Sequence, residues 1–167
     1  MPKYLFPTKM VNSVFEIDFD NFWENGIKGL IIDIDNTLAP FDSPLASDDV
    51  LNLLNKLTEK GFLICLLSNN SQKRVEIFSK DLNYPHIWKA KKPSTKGIDE
   101  ALKLLGLSKD EVILIGDQIF TDVLAGSRAG VDTILTKPMS DTQDEWQVKL
   151  KRYPEKVVLR LYEKSKS

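Results

Sequence analysis

Short apolar runs, several ending in or followed by acid, alternate along this chain with amphipathic segments. Leu30-Ile31-Ile32-Asp33-Ile34 is the first, and Phe62 to Leu67 the second. His86 to Lys89 gives a short third, Val112 to Ile115 a fourth, and residues 132–135 a fifth. Runs this short and this uniformly apolar read as strands covered on both faces. The segments between them read as helices. Ser47 caps one that carries Asp48 and Asp49 in its first turn and Val50, Leu51, Leu53, Leu54 and Leu57 on its apolar face, and Gly61 stops it. Residues 71–80 hold Val75, Ile77 and Phe78; residues 95–105 hold Ile98, Ala101, Leu102 and Leu105, with Gly106 beyond the end. Ser108 and Glu111 have capping-box spacing, and a helix after Thr121 ends near Gly130. Such alternation predicts an α/β fold with a mainly parallel central sheet of about five strands and helices on both faces.

Ligands of such sheets bind at the carboxyl ends of the strands. Asp33, Asp35, Ser68, Asp117 and Asp122 all fall at or just past those ends. The fold therefore brings them to one crevice. Acids there are costly unless metal or hydrogen bonds compensate them. With Lys92, just before Pro93, they supply a nucleophilic carboxylate, a second carboxylate two residues on, a hydroxyl, a fixed cation and a distal acidic pair. That set suits magnesium-assisted phosphoryl transfer through an aspartyl-phosphate. Each part alone has a bland reading: a turn at Asp33-Ile34-Asp35, a helix cap at Ser68-Asn69-Asn70, a surface lysine, a Gly116-Asp117 turn. Their order and their placement at strand ends argue for chemistry.

Other classes find little support. His86 is the only histidine, which leaves a zinc site or a Ser-His triad without partners. A net charge of −1 over 167 residues sets up no global field for nucleic acid or membrane. Cys65, the single cysteine, sits in an apolar run and reads as a core thiol. Trp23, Trp88 and Trp146 read as core or interface anchors. No stretch reaches the ~18 apolar residues of a membrane span, and the N-terminus lacks a cleavage signature. Cytoplasm is the expected location.

At its motifs the chain resembles the haloacid dehalogenase (HAD) superfamily of phosphohydrolases. Asp33-Ile34-Asp35-Asn36-Thr37-Leu38 is similar to the first motif of that family, Ser68 to the second, Lys92 to the third, and Gly116-Asp117-Gln118-Ile119-Phe120-Thr121-Asp122 to the fourth. The likeness covers roughly residues 28–137. More narrowly it resembles subfamily IIIA, the YqeG-type bacterial branch related to mitochondrial phosphatidylglycerophosphate phosphatases. The resemblance implies a three-layer Rossmannoid sandwich. It implies that Asp33 attacks phosphorus, that Asp35 is acid and then base, and that Ser68 and Lys92 hold the phosphoryl group. Asp33, Asp35 (through its carbonyl), Asp117 and Asp122 would bind Mg2+, the last directly or through water. Asn36, Thr37 and Asn69 are candidates for substrate contact, although Asn36 also suits a loop-fixing role.

Spacing adds two expectations. Residues 34–67 have room for a flap and one helix, and residues 69–91 for a helix and a short strand. Neither gap fits a cap domain, so the site is expected to be open and suited to a bulky phosphomonoester. Candidates are a phospholipid headgroup, a nucleic-acid end or a phosphoprotein. One domain is expected, with a core at about 28–137, an extension at 1–27 against the sheet edge, and a helical segment at about 141–167. In that last segment Pro154 suits a first helical position, and Val157, Val158, Leu161 and Tyr162 form an apolar stripe. Its basic residues read as a solvated face or as a surface for anionic membrane or RNA. A ribosome-associated binding factor on the same fold, phosphotransfer to an acceptor other than water, and an oligomer remain open.

Overall fold

The computed structural model describes residues 3–140 and 146–166. Six strands form one sheet: β1 (Lys9–Val11), β2 (Gly29–Ile32), β3 (Leu63–Leu67), β4 (His86–Ile87), β5 (Val112–Gly116) and β6 (Asp132–Thr136). Their order is β1-β6-β5-β2-β3-β4, and every pairing is parallel. The sheet has one more strand than the sequence predicts. The addition is β1, which pairs Lys9 with Ile134 through Val11 with Thr136 at the sheet edge. Its three residues give too short a pattern to read, and it is held by main-chain bonds to β6.

Among the described residues, six α-helices surround the sheet: α1 (Phe19–Glu24), α2 (Asp48–Lys60), α3 (Gln72–Ser79), α4 (Lys96–Leu105), α5 (Leu124–Ala129) and α6 (Trp146–Lys166). The caps at Ser47 and Gly61 are those the sequence predicts, and Ser71 adds one at the start of α3. Ser47 Oγ accepts from Val50 N–H, Ser71 Oγ accepts from Arg74 N–H, and Gly61 ends α2 in the left-handed region at φ 109°. Successive residues of β2 point to opposite faces. Leu30 and Ile32 pack with Leu54, Leu57, Phe62, Val75 and Phe78 on one side. Ile31 packs with Cys65, Leu67, Ile98, Ala101 and Ala125 on the other. The result is three layers, with the strand ends free to carry polar side chains. Burial pushes the Cys65 thiol up to about 12, so it stays a protonated core group.

Three expectations need correction. The helix expected after Thr121 is preceded by a wide π-type turn over Ile119–Val123, in which Asp122 N–H and Val123 N–H both donate to Gln118 O. Pro154 does not open the last helix but lies inside it. Docking of Glu155, Val158 and Tyr162 against the body holds the helix despite the lost main-chain bond. The predicted apolar stripe splits between two faces: Val158 and Tyr162 are buried, whereas Val157 (48% exposed) and Leu161 (39% exposed) face outward. Residues 141–145 of the predicted segment, and residue 167, lie outside the described ones.

Candidate active site

The carboxyl ends of β2, β3 and β5 meet at one crevice. A cavity of ≈ 250 Å³ there is lined by Asp33, Asp35, Asn36, Ser68, Asn69 and Lys92, together with Phe41, Asn70, Ser71, Gln118 and Thr121. Residues 34–67 supply the loop, α2 and β3, and residues 69–91 supply α3 and β4, so no inserted domain covers it.

Lys92 is the electrostatic centre. Its Nζ lies 2.6 Å from Asp33 Oδ1 and 2.6 Å from Asp122 Oδ1, and it is 7% exposed. Burial alone would lower the proton affinity of this ammonium. The carboxylates of Asp122 and Asp33 outweigh that and hold its pKa above the usual lysine range, so it stays charged. Asn69 fixes the lysine from behind: its Nδ2 donates to Lys92 O at 3.0 Å, and its Oδ1 accepts from Lys92 N–H at 2.8 Å. Asn69 therefore binds the Lys92 main chain through both ends of its amide, at the wall of the cavity.

Asp33 continues from β2, where its N–H donates to Ile115 O. Its Oδ2 accepts from Thr37 Oγ1 at 3.3 Å. The carboxyl pKa is raised well above the ordinary value, by burial first and by the charges of Asp122 and Asp117, against the pull of Lys92. Asn36 lies between, in the left-handed region at φ 62°, with its main chain bonded to Ala39 and Met139. That fits the loop-fixing role.

Asp122 reaches the strand end because Gly116 is there. A Cβ at that glycine would collide with the Asp122 carboxylate. Asp122 Oδ2 accepts from Gln118 N–H at 3.1 Å, which closes the π-type turn on itself. Carboxylate oxygens of Asp33, Asp117 and Asp122 lie within 4.8 Å of one another, all on buried residues. The three carboxyl groups face one another with the Lys92 ammonium against two of them. A hard divalent cation such as Mg2+ matches that buried set of oxygen donors.

Asp35 stands apart from the lysine. Its Oδ2 accepts from Asn70 Nδ2 at 3.1 Å and Ser68 Oγ at 3.5 Å, while its Oδ1 accepts from Arg74 Nε at 3.1 Å and Nη2 at 3.0 Å. Ser68 Oγ also accepts from Asn70 N–H at 3.0 Å. Nothing in the local sequence marks Arg74 as a site residue, and Asn70 reads there only as part of a helix cap. Glu155 was missed as well: it is a buried carboxylate on α6 whose Oε1 accepts from Ile119 N–H at 2.7 Å and Phe120 N–H at 3.3 Å, just beyond Asp117.

Known proteins agree with this architecture. The model of the haloacid dehalogenase-like hydrolase family matches residues 27–136, and the chain belongs to that family. Among its relatives, the "Probable phosphatase YqeG" of Bacillus subtilis is 35% identical over 159 residues, covering 95% of this chain and 92% of the relative. The chloroplastic/mitochondrial phosphatidylglycerophosphate phosphatase 1 of Arabidopsis thaliana is 26% identical over 168 residues, covering 95% of this chain but 48% of that protein. A solved haloacid dehalogenase-like hydrolase from Bacteroides fragilis superposes with a TM-score of 0.57 at 17% identity, over 70% of this chain and 91% of that one, which speaks for the fold alone.

Proposed function

We propose that this HAD-family phosphatase is a magnesium-dependent phosphomonoester hydrolase that works through an aspartyl-phosphate on Asp33. The observation that carries the reading is the buried acidic triad with a single lysine between two of its members. Asp33, Asp117 and the Asp35 carbonyl hold the cation, which when bound screens the charge between carboxylate and phosphoryl group. Asp122 keeps Lys92 aimed at Asp33 and orders the turn behind Asp117. Asp33 then attacks phosphorus in line, with Lys92 and Ser68 on the phosphoryl oxygens. Asp35 gives a proton to the leaving oxygen and later takes one from the attacking water. Thr37 supports Asp33 through its hydroxyl. Hydrolysis of an aryl phosphate tests the reading. Activity should vanish with EDTA and return with Mg2+; activity indifferent to EDTA would refute it.

For the substrate, the reading favours a lipid phosphomonoester such as phosphatidylglycerophosphate. The cavity has no cap to enclose a small metabolite. The outer face of α6 sets Tyr153, Val157 and Leu161 at four-residue spacing, with Lys156, Arg160 and Lys164 exposed beside them. Each basic residue near an anionic bilayer is worth about 1 kcal/mol, enough in sum for reversible attachment at the membrane surface. Among the described residues no helix is long and apolar enough to cross a membrane. Preference for the lipid phosphate over sugar phosphates, with salt-sensitive binding to anionic vesicles, is the expected result. Preference for a small sugar phosphate overturns the lipid reading and leaves the phosphatase reading standing.

A further inference from the structure

We propose that Arg74 is a positioning residue that fixes the orientation of the Asp35 carboxyl and thereby selects the oxygen that carries its proton. The inference rests on the role given to Asp35 above. Arg74 lies in the first turn of α3, where Ser71 Oγ accepts from its N–H at 3.3 Å. Its Nε and Nη2 both donate to Asp35 Oδ1, at 3.1 and 3.0 Å. Guanidinium nitrogens can only donate, so that oxygen must stay an acceptor. A proton on Asp35 is therefore carried by Oδ2, beside Asn70 and the Ser68 hydroxyl, which can turn to accept it, and both residues line the cavity. The remaining nitrogen, Nη1, donates to Pro44 O at 3.0 Å in the loop before α2, and the guanidinium lies 5.7 Å from the Phe78 ring centroid. Asp35 lines the cavity and Arg74 does not, so the arginine stands behind the carboxyl. Nothing in the local pattern marks this pair, which spans 39 positions.

The consequence is directional proton transfer. In the first half-reaction the bond from Asp33 to phosphorus forms as the bond to the leaving oxygen breaks, and the proton on Asp35 Oδ2 passes to that oxygen. In the second, water attacks phosphorus and gives its proton to Oδ2. The bond to Asp33 breaks, releasing inorganic phosphate and the free carboxylate. A carboxyl free to rotate would offer its proton in several directions. One held by a two-pronged guanidinium offers it in one. Lysine at this position would supply charge without the fork.

The test compares leaving groups, because dinitrophenolate departs without a proton and phenolate does not. The phosphorylation step is read by rapid quench in the full chain with Mg2+, using phenyl phosphate and 2,4-dinitrophenyl phosphate. General acid catalysis contributes on the order of 10²–10⁴-fold. Arg74→Ala should therefore slow the phenyl ester about ten-fold or more and the dinitrophenyl ester far less, and Arg74→Lys should show the same selectivity. Added to Asp35→Asn, Arg74→Ala should have little further effect. Equal losses on both esters, or none, would overturn the inference, and thermal unfolding separates a folding defect, in which case Arg74→Lys decides. Leaving-group selectivity in Asp35→Asn but in neither Arg74 variant would refute this inference alone. Its absence in Asp35→Asn would refute the acid–base reading beneath it.

Discussion

Replacing Lys92 by methionine removes one charge and keeps most of the side-chain volume. Lys92 Nζ touches Asp33 and Asp122 at 2.6 Å each, with a side chain 3% exposed. Removing one partner of a buried pair costs about 3–5 kcal/mol, because the remaining charge stays buried and unmatched. Here the residue lost is the single ammonium among three carboxylates. For a chain of this size each kcal/mol moves the unfolding midpoint by about 2–4 °C. Lys92→Met should therefore lower the metal-free midpoint by about 6–20 °C. Mg2+ should restore part of that loss, since a ligand of the folded state stabilises it by mass action. Turnover should fall with or without that recovery, because the aimed cation is gone. Lys89 and Lys91 are exposed, and changing either to methionine should stay within about 0.5 kcal/mol. Thermal unfolding by circular dichroism, with and without Mg2+, reads the stability, and aryl phosphate hydrolysis reads the function. Equal, small effects at all three lysines would refute the buried-triad reasoning and leave only a diffuse basic surface.

Two further predictions come from the same charges. Asp33→Asn should abolish turnover yet raise the metal-free midpoint at neutral pH. Burial and the neighbouring carboxylates raise the Asp33 pKa in the folded state, so its contribution to stability is full below the unfolded value and is lost as pH rises through the folded one. Unfolding measured against pH in EDTA checks this, and a destabilised Asp33→Asn at pH 7 would contradict it. Glu155→Ala should cost about 1.5–3 kcal/mol, the worth of hydrogen bonds to a charged group, and should weaken Mg2+ binding measured by calorimetry. Unchanged Mg2+ affinity would show that α6 does not hold the turn behind Asp117.

The fold was legible where burial acts on both faces of an element. Strands β2, β3, β5 and β6 announce themselves as apolar runs, and α2 is framed by Ser47 and Gly61. Strand β1 was not, since Lys9-Met10-Val11 is too short to show a period. Asp33, Asp35, Ser68, Lys92, Asp117 and Asp122 could be gathered because each follows a strand or has a fixed neighbour such as Pro93. Arg74 and Glu155 could not. Both sit on helices where a charged residue reads as solvated, and only the packing of α3 and α6 turns them toward Asp35 and the Ile119–Phe120 amides. Asn69 was legible as a site residue but not in its role, because nothing in Ser68-Asn69-Asn70 reveals that its amide faces the Lys92 main chain.

Covalent chemistry at Asp33 is tested by trapping the phosphoenzyme. The intact chain with Mg2+ and a phosphate-labelled aryl ester is quenched in acid during turnover, digested, and mapped by mass spectrometry. An acid-stable, hydroxylamine-labile acyl phosphate is expected on Asp33, absent from Asp33→Asn and accumulating in Asp35→Asn with a fast leaving group. Label on any other residue, or full turnover by Asp33→Asn, would contradict it.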